Sequence, residues 1–285
     1  MATAASIILR VRKLFGDTNG DFITDQTGID WLDEAQRRFC HKVLPLDEYK
    51  DYTITAKVNK FDYPADCIIP VSVMWYQSRV VELEYTPPNV WARLEEAHPT
   101  STGIPERYAA LRRQVVVGPQ VPQTASSSST ASGTISSSVT TLGLVAASGT
   151  FRSKGFVKIN SEIIEYTGVA TTTLTGATRG VHNTTAASHA SGDTVTQIDL
   201  IMLYRKSPAA LGTTTASPDV PVFFQDYIEK YALYLAWQAR GDTAKAQTAY
   251  AEFEAIEKDS IHTIGRRALD GMIKIQEKRH RWRGW

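Results

Sequence analysis

Apolar positions near the start of the chain recur at helical spacing. Ile7, Ile8, Val11, Leu14 and Phe15 line one side of the segment from Ser6 to Phe15, with Arg10, Arg12 and Lys13 on the other. The run Gly16-Asp17-Thr18-Asn19-Gly20-Asp21 breaks that helix. A second follows, with Ile29, Leu32, Ala35, Gln36 and Phe39 along one face. Asp25 or Thr27 is its expected N-cap, and Pro45 closes the region. From Tyr52 to Val117 the period shortens toward that of strands. These are expected at residues 52–58, 68–76, 80–83, 108–111 and 114–117, punctuated by Pro64, Pro70, Pro87, Pro88 and Pro105.

The pattern then changes abruptly. After Pro119 a tract of Ser, Thr, Ala and Gly carries no charge until Arg152. Taken alone it reads as a flexible linker, while Ile135, Val139, Leu142, Leu144 and Val145 allow part of it to be edge strand. Short alternating runs follow at residues 155–159, 162–167, 173–175 and 194–196, separated by Gly turns, the mark of a small β-domain. Strand character resumes at 198–204. Pro218 and Pro221 then precede a helix in which Phe224, Tyr227, Ile228, Tyr231 and Leu235 share a face. Gly241 ends it, and Asp242 caps another helix with Ala246, Ala249, Tyr250, Phe253 and Ile256 at core spacing. So short a connection forces an antiparallel helical hairpin. Beyond Ile264 the chain is basic and less periodic.

This layout predicts an α+β fold in which N- and C-terminal helices pack as a bundle beside an antiparallel β-sheet, with a small all-β domain inserted. The boundaries fall at 1–122 (helices, then strands), 123–196 (the Ser/Thr-rich β-domain), 197–264 (strand and helical hairpin) and 265–285 (a basic arm). Strands 115–117 and 198–204, on either side of the insert, are expected as neighbours in one sheet. An insertion at a hairpin tip closes easily because its two ends need only lie close together.

Composition narrows the function. With 42% hydrophobic and 21% charged residues among 285, the chain is globular and long enough for two domains. Cys40 and Cys67 make no disulfide framework, so a reducing compartment is expected at synthesis. No apolar run is long enough to span a membrane, and the first residues lack the charged and apolar regions of a secretory leader. Net charge is +1, which gives no overall attraction to nucleic acid. That balance hides an asymmetry. Residues 266–285 hold Arg266, Arg267, Lys274, Lys278, Arg279, Arg281 and Arg283 against Asp270 and Glu277, about +5, leaving the rest near −4. Trp282 and Trp285 interleave with the arginines, and these residue types dominate interface hot spots and stacking on nucleic acid. A docking arm is expected there rather than a solvated tail.

Catalytic signals are poor. Asp17, Asn19, Asp21 and Asp25 stand at alternate positions as in a calcium loop, yet Phe22 occupies the place of its Gly and Gly28 that of its Glu. A helix-breaking turn with Asx caps explains the same residues. The six histidines have no paired-ligand spacing, and His182 and His189 fall in one Thr-rich loop that reads as a surface turn. No nucleophile elbow, Walker loop or dinucleotide fingerprint is present. The expectation is a non-enzymatic protein without cofactor or metal.

Two sets of motifs resemble known phage proteins. Leu14-Phe15-Gly16-Asp17, Thr24-Asp25 and Ile29-Asp30-Trp31-Leu32-Asp33-Glu34-Ala35-Gln36-Arg37-Arg38-Phe39 resemble the opening of tailed-phage head-to-tail adaptor (connector) proteins. In family order come Tyr63-Pro64-Ala65-Asp66, Val80-Val81-Glu82-Leu83-Glu84, Gly103-Ile104-Pro105-Glu106-Arg107-Tyr108-Ala109, Val117-Gly118-Pro119, Leu203-Tyr204 and Asp219-Val220-Pro221. This resemblance covers roughly residues 6–120 and 197–260. Within 124–196, Ile159-Asn160-Ser161-Glu162-Ile163-Ile164-Glu165-Tyr166-Thr167-Gly168, Thr178-Arg179-Gly180 and His189-Ala190-Ser191-Gly192 resemble a β-module that decorates phage tail and neck proteins. Asn160 stands where that module usually has Asp or Gly.

The resemblance implies a structural virion protein of the neck, present in host cytoplasm during assembly. Such adaptors form a homo-oligomeric ring of twelve subunits (a 12-mer) below the portal protein, around a channel for double-stranded DNA held without sequence specificity. Trp31, Phe39, Phe224, Tyr227, Tyr231, Leu235, Tyr250 and Phe253 would form the ring core. Arg266, Arg267, Lys274, Lys278, Arg279, Arg281, Trp282, Arg283 and Trp285 would be the portal-docking arm, and Arg179 and His189 the module's turn residues. Nozzle, tail fibre or spike proteins would attach below or at the side, with no membrane partner. Two alternatives stay open: a peripheral tail protein whose β-module binds receptors, and a DNA-binding protein using the basic tail.

Overall fold

The computed structural model describes residues 2–43, 46–76, 81–97, 102–122, 124–147 and 150–281. Along the chain, α1 (Ala4–Phe15) and α2 (Asp25–Val43) come first. Strands β1 (Asp47–Tyr52), β2 (Lys60–Asp62), β3 (Cys67–Trp75), β4 (Val81–Glu82) and β5 (Glu84–Tyr85) lead to α3 (Pro88–Ala97). Next are β6 (Thr102–Gly103), β7 (Arg107–Leu111), β8 (Gln114–Gly118) and β9 (Val121–Pro122). The former Ser/Thr tract opens β10 (Ser128–Thr130) and β11 (Thr141–Gly143), followed by β12 (Gly155–Ile159), β13 (Glu162–Tyr166), β14 (Gly168–Ala170), β15 (Thr173–Thr175) and β16 (Thr194–Ile198). Strand β17 (Leu200–Lys206), a 3-10 turn at Val222–Phe224, α4 (Gln225–Arg240) and α5 (Thr243–Arg281) complete it. The fold class is α+β, as the periodicity predicts.

The chain divides into two compact units, a helical one (Met1–Leu46 with Lys206–Trp285) and a β one (Asp47–Arg205). In the helical unit, Thr3 caps α1 by accepting from the Ser6 N–H, and left-handed Gly16 ends it. The cap of α2 is Thr24, whose hydroxyl accepts from the Thr27 N–H at 3.2 Å, and not Asp25 or Thr27. Asp25 is already helical, and its carboxylate is taken by Arg12 at 2.8 Å. Gly28 lies in α2 because a Cβ there would meet Ile8 Cγ1 at 2.7 Å, so the two helices approach closely only through glycine. Left-handed Gly241 (φ 82°) ends α4, and Asp242 accepts from the Lys245 N–H at 3.1 Å to start α5, the tight hairpin read from sequence. One apolar cluster joins α1, α2, α4 and α5, built on Ile7, Ile8, Leu32, Phe39, Tyr227, Ile228 and Phe253.

In the β unit, the four-stranded sheets β1-β17-β3-β4 and β2-β8-β7-β5 share a core of Phe61, Val73, Trp75, Val115, Val117, Leu200 and Met202, and β6 pairs with β9 in a two-stranded sheet. Strands β8 and β17 are therefore not sheet neighbours, contrary to the expectation. Both present alternating apolar residues to the same cluster from different sheets; alternation identifies a face and says nothing about the partner. Residues 128–198 build two further sheets, β10-β16-β12-β13 and β11-β15-β14, around Val157, Ile159, Ile164, Tyr166, Leu174 and Val195. Ile135, Leu142 and Leu144 are buried in that core, so the Ser/Thr tract is part of a folded layer, while Val145 is exposed.

Three further expectations need correction. The first strand is Asp47–Tyr52 and not 52–58; its sequence DEYKDY is polar because β1 is an edge strand with no fully buried residue. The paired prolines at 87 and 88 do not merely punctuate, since Pro88 opens α3, where a missing N–H is harmless. Helix α5 continues to Arg281 instead of fading near 264, a segment rich in good helix formers without amphipathic spacing.

Candidate functional site

Of the expected ring-core residues, Phe39, Tyr227, Tyr231 and Phe253 are buried, and Trp31, Phe224, Leu235 and Tyr250 pack half-buried against them. Phe39, Phe224, Tyr227, Tyr231, Tyr250 and Phe253 form one aromatic stack. Phe39 meets Phe224 at 5.1 Å and Tyr227 at 4.7 Å, and Phe253 meets Tyr227, Tyr231 and Tyr250 edge-on at 5.6, 5.1 and 4.5 Å. Arg38 lies over both the Tyr231 and Phe253 rings at 5.3 Å. The tyrosine hydroxyls end on carboxylates: Tyr227 donates to Glu257 at 3.0 Å and Tyr231 to Glu34 at 2.8 Å. Burial, reinforced by Glu34, pushes the Tyr231 hydroxyl up to about 12, and burial with Glu257 raises Tyr227 as well. These residues lie on α2, α4 and α5 and on the turn before α4, and their contacts hold those helices in fixed relation within the chain.

Arg179 and His189 do come together, on a residue the motif contained but whose role the sequence reading left unassigned. Glu162, at the start of β13, is fully buried; its carboxylate takes Arg179 Nη2 at 2.7 Å and Nε at 2.8 Å, and lies 2.7 Å from His189 Nε2. The N–H groups of Ala187 and Gly180 also donate to it at 3.0 and 3.1 Å. Arg179 further donates to the carbonyls of Ser136 and Ala187, which ties the long loop down on the sheet. Burial works against the charged carboxylate, but Arg179, the Ala187 N–H and His189 together prevail and lower its pKa to about 2. The surface-turn reading of His182 and His189 therefore fails: His189 is 3% exposed, and His182 lies 2.8 Å from Asp51 and stacks on Tyr49. A sequence signal existed. Glu162 shares strand parity with Ile164 and Tyr166, which places an acid on a buried face and demands a cation nearby.

A second polar cluster that sequence reading missed ties residues 126–199 to the neighbouring strands of the β unit. Asp199 pairs with Arg152 Nη1 at 2.9 Å and accepts from the Ser126 hydroxyl at 2.7 Å. The same Ser126 oxygen accepts from the Ile54 N–H at 2.7 Å. Arg152 also donates to the Ile198 carbonyl at 2.6 Å. Both chain crossings are thus clamped at one point. Asn160 has a left-handed backbone (φ 55°) in the β12–β13 turn, a conformation that Asn and Gly tolerate best, which accounts for its presence there.

In the α1–α2 turn, the Asp17 carboxylate accepts from the N–H groups of Asp21, Phe22 and Ile23 at 3.0, 3.2 and 2.7 Å, and the Ile23 bond leads in lowering its pKa. The acidic turn is an Asx-type cap. Among the described residues no group of three or more His, Cys, Asp or Glu is placed to hold a metal ion. None of the described helices is long and apolar enough to cross a membrane. Cys40 and Cys67 are free and buried, and burial pushes their thiols up to about 12 and about 11. The side chains of Arg266, Arg267, Lys274, Lys278, Arg279 and Arg281, and the whole of Trp282, Arg283 and Trp285, lie outside the described residues.

Stacked rings hold the helices and buried ion pairs tie down the β-sheets, so these polar clusters bind parts of the chain to one another. The chain belongs to the SU10 adaptor protein family, which matches residues 2–271. It is thus a phage adaptor-type protein, a virion component that associates with other head and tail proteins. No curated protein matches it.

Proposed function

We propose that this protein is the head-to-tail adaptor of its virion, a ring-forming subunit between the portal and the tail. Membership of the adaptor family over nearly the whole chain is the observation that carries this reading. Residues 1–122 and 197–264 are the adaptor core, its helices forming the ring wall around the DNA channel. The near −4 charge outside residues 266–285 lets DNA pass without sticking. Residues 265–285 are the portal-docking arm; α5, which runs on through the basic segment to Arg281, supports it. Residues 123–196 are an inserted module that holds a nozzle, fibre or spike protein.

Averaged electron micrographs of isolated necks test the ring directly. Removing residues 266–285 is expected to leave a folded chain that no longer joins portal-bearing heads, and normal attachment by that truncation would refute the arm's role. Deleting 124–196 is expected to spare the ring and remove the attached tail component. Ring failure would instead make the module a staple between subunits.

A further inference from the structure

A cleft of about 280 Å³ opens within the β unit, between the outward face of the β10-β16-β12-β13 sheet and the end of β1. Strand parity builds it. Val157, Ile159 and Val195 turn into the core behind their sheet, so Lys158, Thr194 and Thr196 project from its opposite face. Lys158 and Thr196 stand directly opposite each other across β12 and β16. On the other wall Tyr52 packs toward the core of the β1 sheet, which turns Asp51 and Thr53 to the cleft. Both walls converge on Ile198, buried against Ile163 and Ile201, which gives the cleft an apolar floor. Its polar groups have little structural work. Among the described residues, Lys158 makes no ion pair or hydrogen bond, and neither do the side chains of Thr53, Thr194 and Thr196. Asp51 is the exception. Its Oδ1 lies 2.8 Å from His182 Nδ1, which fixes the carboxylate and leaves Oδ2 to accept from a ligand.

We infer that this cleft binds one carboxylate-bearing sugar residue, a ligand of the hexuronic acid class. The uncommitted Lys158 ammonium takes the carboxylate in a charge-assisted hydrogen bond. Three threonine hydroxyls, each both donor and acceptor, and the acceptor-only Asp51 Oδ2 match the mixed demands of ring hydroxyls. Ile198 meets the C–H face of the ring, in the usual division between an apolar wall and a few placed polar groups. Other anions fit less well. A phosphate dianion would face one cation and a fixed acid, so repulsion from Asp51 offsets much of its attraction to Lys158. A simple apolar acid would strip water from the threonine hydroxyls and Asp51 Oδ2 without replacing its hydrogen bonds. The volume lies just under the roughly 300 Å³ at which drug-sized pockets begin, which suits a single ring. This site is independent of the ring reading and stands or falls without it.

Calorimetric titration of the full-length chain tests it, with D-glucuronate, D-glucose, acetate and inorganic phosphate as separate probes. Glucuronate is expected to saturate one site per chain with a dissociation constant on the order of 1 mM. Glucose, acetate and phosphate should each bind at least tenfold more weakly. No saturation by glucuronate, or equal affinity for any of the other three, overturns the inference. Two substitutions then place the site. Lys158→Gln, at an exposed position, should weaken glucuronate at least tenfold, and Thr196→Val at least threefold, with the melting temperature unchanged. Lys154→Gln removes the same charge from an exposed residue that does not line the cleft, and should leave the affinity as it was. Full affinity in Lys158→Gln, or an equal loss in Lys154→Gln, counts against this cleft.

Discussion

The helical unit and the 128–198 sheets solve the same problem by different means. The helices bury rings and branched side chains in one large cluster, and their polar contacts sit at its margin. The sheets are made of short strands rich in Ser and Thr, with a small apolar core. They add a fully buried carboxylate that draws a loop of Arg179, Ala187 and His189 onto the sheet. Apolar packing is non-directional and tolerates change at its edges, whereas a buried charge is stabilising only while every partner is in place. The helices are therefore strong by area, and the small sheets are specified by one network.

That contrast can be broken in order of effect. Phe253→Ala removes a ring that touches Tyr227, Tyr231, Tyr234 and Tyr250, and is expected to destabilise the helical unit by about 4 kcal/mol in urea titration. Arg179→Ala, which leaves the Glu162 charge buried and unpaired, is expected to cost about 3 kcal/mol. Its effect should be confined to the small sheets, read as faster hydrogen exchange in β12 and β13 with the helices unchanged. Equal exchange in both regions would contradict the division of labour drawn above.

Acid gives the next separation. Glu162 has a folded pKa of about 2 against an ordinary 4.5, so its contribution is complete above about 4.5 and is lost as pH falls through 2. Over that window near-ultraviolet signals from the small sheets should weaken before helical circular dichroism does, and Glu162→Gln should abolish the pH dependence of that loss. The smallest change expected is Gly241→Ala. Its left-handed φ of 82° costs a side chain about 1 kcal/mol, read as a modest fall in the melting temperature of the helical unit.

Much of this architecture is legible along the chain because its signals are local. Helical spacing located α1, α2 and α4, and Gly241 with Asp242 located the hairpin, since caps and turns act within a few residues. The polar β1 escaped because an edge strand need not alternate, and α3 because Pro88 signals a helix start as readily as a break. Arg179 and His189 were visible as a motif. Their meeting at Glu162 was not, because it depends on a loop folding back across the sheet.

By itself, then, the sequence determined α1, α2, α4 and the hairpin into α5, the existence of a Ser/Thr-rich β-segment, and the separation of a basic C-terminal stretch from a mildly acidic remainder. These follow from periodicity, capping and charge, which act over short distances. Tertiary structure alone decided that β8 and β17 lie in different sheets, that Asp199 joins Arg152 and Ser126, and that Phe223 faces outward while Phe224 faces in. Each of those depends on which distant segment covers a given face, and no local pattern encodes that choice.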